Sequence, residues 1–99
     1  MPRILFNHRH AALLELLRQA RVEQGVNQTD LAVALQLRQT DISKIERGVR
    51  NIDVIELREW VRALRLDFVE FCGELDRRIE ASEALRARTT NSTGKSRKG

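Results

Sequence analysis

Apolar residues in this chain recur three and four positions apart, in five blocks, and that spacing commits it to helices packed on helices. Leu13, Leu16, Leu17 and Ala20 stand at i, i+3, i+4 and i+7 and form one stripe of a 3.6-residue period. Gly25 suits a left-handed stop, so the first helix is expected over residues 10–23. Asn27 is a good N-cap for a second helix over 28–35, in which Leu31, Ala32 and Leu35 face inward and Asp30 sits near the positive end of the helix dipole. Ile42 and Ile45 anchor a third over 39–47, closed by Gly48. Asp53 with Glu56, and Asp67 with Glu70, have the spacing of capping boxes and open two more helices. Val54, Leu57, Val61 and Leu64 line the fourth; Phe68, Phe71, Cys72, Leu75 and Ile79 line the fifth. No strand pattern competes, and the expected class is all-α.

Ninety-nine residues with 41% hydrophobic content support one small core rather than two. Beyond about Arg88 the run "TTNSTGKSRKG" has no apolar residue to offset its own ordering entropy. The expected organisation is an N-terminal arm over 1–9, a folded domain over 10–83 and a basic, disordered tail over 84–99. The single Cys72 excludes an internal disulfide. No secretory signal pattern and no apolar run of about 18 residues is present, so the expectation is a cytoplasmic protein without a membrane contact. Five glycines without a period give no phosphate-cradling loop and no repeat array.

A net charge of +4 resembles a nucleic-acid signature until it is located. Residues 1–83 hold 13 Lys or Arg against 14 Asp or Glu, whereas 84–99 hold five basic residues and no acid. Within the body, Arg38, Lys44, Arg47 and Arg50 outnumber Asp41 and Glu46 between Arg38 and Ile52. From Leu66 to Glu83, six acids face only Arg77 and Arg78. Such a domain is polarised, with one end suited to phosphate and the other repelled by it.

The third helix, "QTDISKIERG", is otherwise hard to explain. Ile42, Ile45 and Glu46 fall on one face, and Thr40, Ser43, Lys44 and Arg47 fall on the other, flanked by Gln39 and Asp41. One face anchors the helix and the other is left free to touch something. Joined to the second helix by about three residues, it has the arrangement in which one helix enters the DNA major groove while its predecessor crosses the backbone.

The stretches "ARVEQGVNQTDLAVAL", "TDISKIERGVRNID" and "LREWVRALRLDFVEF" resemble the Cro and phage-repressor type of helix-turn-helix domain, the XRE-like family, from Leu17 to Leu75. The resemblance implies a five-helix lambda-repressor-like DNA-binding domain and a sequence-specific transcriptional regulator. It further implies a repressor, bound as a homodimer to a palindromic operator on double-stranded DNA. An antitoxin-type interaction module that also binds DNA is the alternative, with a protein partner on the C-terminal tail. Two positions depart from the family. Gln36 stands where a turn glycine is usual and Arg38 where Ser or Thr caps helix 3, so the turn is expected to differ locally. Arg65 replaces the glycine that often closes helix 4, so helices 4 and 5 are expected to join differently.

Residue chemistry and resemblance together assign roles. Gln39, Thr40 and Lys44 are the base-reading candidates: an amide pairs with adenine, a Thr methyl packs on thymine, and an ammonium reaches guanine or phosphate. Gln28, Arg38, Ser43, Arg47 and Arg50 are the candidates for the DNA backbone. Asp41 would repel phosphate unless it accepts from cytosine or neutralises Lys44 or Arg38. The family pattern places an internal ion pair at Arg21 and Glu46. A dimer interface is expected from Trp60, Phe68, Phe71, Leu75 and Ile79. His8 and His10, two apart, are poorly spaced to share a metal, and neither metal nor cofactor is expected. Cys72 reads as a small buried apolar group. Asp76 and Glu80 beside Arg77 lie on a solvated face without a pocket-forming segment, so no enzyme is expected.

Overall fold

The structure, a computed structural model, describes residues 7–95, with side chains described over 7–87. Five helices follow one another: α1 (His8–Glu23), α2 (Gln28–Leu35), α3 (Gln39–Glu46), α4 (Val54–Ala63) and α5 (Phe68–Lys95). The first begins two residues earlier than its apolar stripe predicts, because the Asn7 side chain accepts from the His10 backbone N–H at 2.9 Å and caps it there. Asn27 caps α2 through the Asp30 N–H at 2.7 Å. Asp53 and Glu56 close a reciprocal box on α4, at 2.8 and 3.3 Å. On α5 only the Asp67 half of the expected box forms, at 2.9 Å.

All four junctions share one backbone solution. Gly25, Gln36, Gly48 and Arg65 have φ of 71°, 59°, 77° and 64°. At each, that residue's N–H bonds back three residues and the next N–H bonds back five, as in Leu37 to Ala32 at 2.9 Å and Leu66 to Val61 at 3.1 Å. The turn between α2 and α3 and the junction between α4 and α5 are therefore not remodelled for want of glycine. Gln36 and Arg65 adopt the left-handed conformation themselves, at a cost of about 1 kcal/mol each.

The core draws on every helix: Leu16, Leu17 and Ala20; Leu31 and Ala32; Ile42 and Ile45; Leu57, Trp60, Val61 and Leu64; and Phe71. Trp60 is completely enclosed, and its indole N–H has no acceptor. α3 packs on α1 and α2, while α5 packs on α1 and α4. The helix offered to solvent as α3 is thus braced from behind, and α5 lies on another part of the molecule.

Helical backbone continues to Lys95, into the segment expected as tail. Ala84, Leu85 and Ala87 are strong helix formers, and extending an existing helix adds one hydrogen bond per residue fixed, without a new nucleus. Residues 1–6 of the expected arm and 96–99 of the tail lie outside the described residues.

Candidate nucleic-acid interface

Behind α3, Arg21 and Glu46 meet in a two-point ion pair, Nε to Oε2 at 2.6 Å and Nη2 to Oε1 at 3.1 Å. Their side chains are 11% and 4% exposed, which separates this pair from the solvent-screened pairs elsewhere on the surface. The remaining arm of Arg21 donates to the Val26 carbonyl at 2.9 Å, tying the α1–α2 connection to the same cluster.

Glu46 also accepts from Gln28 Nε2 at 2.9 Å, and Gln28 Oε1 accepts from Gln39 Nε2 at 2.6 Å. This chain of bonds fixes polarity as well as position. A carboxylate can only accept, so Gln28 must turn its NH2 inward and its oxygen outward. Gln39 must then turn its own NH2 toward Gln28, leaving its carbonyl oxygen and one N–H uncommitted at the front of α3. A donor beside an acceptor on one amide matches the N6–H and N7 edge of adenine.

Thr40 and Lys44 are exposed beside Gln39, and neither is held by a hydrogen bond or ion pair. Arg47 donates from Nε to the Ser43 hydroxyl at 3.1 Å, so these two act as one unit at the end of α3. Arg38, with an 83% exposed side chain, lies 3.5 Å from Asp41 Oδ2. Asp41 itself accepts the Arg38 backbone N–H at 3.0 Å. That bond, then the Arg38 charge, holds the Asp41 carboxyl below its ordinary range. Arg38 has no acceptor with which to cap α3, and Asp41 supplies the missing half from inside the helix. Its pairing is with Arg38 and not with Lys44.

Arg50 is not poised like the other basic residues. Its guanidinium grips Glu56 at 3.0 and 3.3 Å and donates to the Asn51 carbonyl at 3.2 Å, bracing the loop before α4. The Glu56 bond raises its pKa further.

The expected dimer residues divide. Trp60, at 0% exposure, and Phe71, at 6%, belong to the chain's own core and are corrected from interface to interior. Trp60 lies among Leu57, Val61 and Leu64 and Phe71 between Phe68 and Leu75, all turned to the core, and the volume of an aromatic ring is what fills the centre of a core this small. Phe68 and Leu75 are partly buried against that core, and Ile79 is half-buried farther along α5. Ile55 and Val69, to which the sequence assigns no role, are 63% and 78% exposed. Val54, expected in the inward stripe of α4, is 62% exposed, because its place in the first turn turns it to solvent. Among the described residues no group of His, Cys, Asp or Glu could hold a metal, and no helix is long and apolar enough to cross a membrane.

A sequence model of the family described as helix-turn-helix matches residues 17–71. Comparison with curated proteins gives no match. Among solved structures, a mutant of the restriction-modification controller protein C.Esp1396I is 29% identical, with a TM-score of 0.69 over 74% of this chain and 97% of that one. A second mutant of that controller is 30% identical, with a TM-score of 0.67 over 74% and 92%. The clp gene regulator ClgR from Corynebacterium glutamicum shares the fold at 23% identity, with a TM-score of 0.68 over 89% of this chain and 96% of that one.

Proposed function

The chain belongs to the helix-turn-helix family, and from that premise we infer that it is a DNA-binding transcriptional regulator, and propose that it represses from a palindromic operator as a homodimer. The carrying observation is the relay Arg21–Glu46–Gln28–Gln39, which spends buried charge on orienting one exposed amide at the front of α3. Solvation alone gives an exposed glutamine no reason to be fixed this way.

In this reading α3 lies in the major groove. Gln39, Thr40 and Lys44 meet base edges, while Arg38, Ser43, Arg47 and the Gln28 backbone N–H at the start of α2 meet phosphates. Arg50 joins that set only through donors not already given to Glu56. One helix of eight residues reads few base pairs, so a second copy on a symmetric half-site about 34 Å away supplies the rest. Repression follows from occupancy of an operator that overlaps a promoter.

Selection of bound duplexes from a random pool, followed by salt titration on the winner, tests the reading. The expected result is a palindrome whose affinity falls steeply with salt. Gln39→Ala is expected to relax preference at one position per half-site by about 1–3 kcal/mol, whereas Arg47→Ala weakens every sequence alike. Equal losses on selected and random duplexes for Gln39→Ala would remove its base-reading role.

A further inference from the structure

The seam between α1 and α5 is hollow along much of its length. One hollow of about 310 Å³ has an apolar floor of Leu16, Ala20, Leu66 and Phe71 and a rim bearing Glu23, Asp67, Glu70 and Glu74. A second, of about 240 Å³, continues the line past Arg78 to Glu15, His8 and Ser82. Glu74 is neutralised by Arg77 and Arg78, at 3.0 and 2.9 Å. Glu15, Glu23, Asp67 and Glu70 pair with no cation among the described residues. The seam is therefore an apolar trough under uncompensated negative charge.

The sequence holds the complementary piece. Arg86, Arg88, Lys95, Arg97 and Lys98 follow Glu83 with no acid among them. Lys95 and the residues after it cannot reach the first hollow of their own chain. α5 is one continuous helix to Lys95, so the 21 residues from Glu74 to Lys95 carry the chain about 32 Å away from the trough. Residues 96–99, at the fullest extension, return at most about 14 Å.

We propose that the α1–α5 trough is the docking site for the basic end of α5 from a second copy of this chain. Two α5 helices run antiparallel about a two-fold axis, and the basic end of each lies over the acidic start of the other. The contact is self-complementary, so it closes at two copies and does not propagate. Ile79 and the 59% exposed Leu85 lie near its centre, where the partner covers them. Because α5 packs on α1 and α4 and not on α3, the contact leaves α3 open to DNA. The inference rests on the proposed homodimer and specifies the surface that makes it.

A charge-swap experiment on the full chain tests it. One variant reverses the trough (Glu15→Lys, Glu23→Lys, Glu70→Lys), and another reverses the tail (Arg86→Glu, Arg88→Glu, Lys95→Glu, Arg97→Glu). Self-association is followed by sedimentation equilibrium at about 0.1 M salt, with far-UV circular dichroism to confirm folding. Each variant alone is expected to self-associate at least about tenfold more weakly, since like charges then face each other. Mixed, they are expected to recover unmodified affinity as a heterodimer, because a basic trough meets an acidic tail and an acidic trough meets a basic one. A dimer that tolerates the reversed tail overturns this surface while leaving the dimer intact. Failure of the mixture to recover also overturns it. A tail reversal that weakens DNA binding but not self-association reassigns the tail to DNA. An unmodified chain that stays monomeric both free and on its operator removes the dimer and this surface together.

Discussion

Glu46 serves two neighbours with one carboxylate, neutralising Arg21 and orienting Gln28. Substitution by Ala strands a buried guanidinium, and an unfolding titration is expected to show a loss of about 3–5 kcal/mol, well beyond any surface pair of this chain. The Arg21–Glu46 positions were legible only through family resemblance; the Gln28–Gln39 bond was not legible at all. Eleven residues and a turn separate the two glutamines, and no periodicity brings them together until α2 and α3 are docked. Asp41 was the harder residue, since its charge reads as a hindrance to DNA until its bond to the Arg38 N–H is seen. Its carboxyl is held below the ordinary value of 3.8 in the folded chain. The stabilisation it contributes is thus complete above that value and is lost as pH falls through the lower, folded-state pKa. Asp41→Asn is expected to flatten the acid limb of stability measured from about pH 5 down to pH 2, leaving the other carboxylates to account for what remains.

At the scale of helices, the order and number of all five, their approximate starts and the ends of the first four were written in stripe spacing and cap residues, while the end of α5 was not. The two junctions without glycine depart from expectation because glycine is only one of the signals for this helix ending. A second signal was present: Val26, Leu37, Val49 and Leu66 are all apolar and each follows a left-handed residue, as this kind of helix ending favours. Three of the four, Val26, Leu37 and Leu66, pack against the core, and that burial offsets the local backbone cost at Gln36 and Arg65. Gln36→Gly and Arg65→Gly are each expected to stabilise the chain by up to about 1 kcal/mol, or roughly 4–8 °C in Tm by calorimetry. The opposite change at Gly25 or Gly48, to Val, is expected to destabilise, because a β-branched side chain tolerates positive φ worst.

For the molecule as a whole, the polarity of charge was legible and the division of α5 was not. Its apolar stripe looks uniform in sequence, yet Phe71 is interior while Ile79 lies farther along, half-exposed. Only the lengths of the neighbouring helices decide where the core ends. Phe71→Asp is therefore expected to abolish cooperative unfolding, whereas Ile79→Asp keeps the fold and weakens self-association, read by circular dichroism and sedimentation equilibrium. The projecting end of α5 stretches the molecule to 55 × 29 × 21 Å with a radius of gyration of 16.1 Å. A compact chain of this length would have about 13 Å, and 16.1 Å is the radius of a compact protein of about 190 residues. In gel filtration the lone chain is therefore expected to elute ahead of a globular standard of its own mass, because its elongation raises its frictional radius.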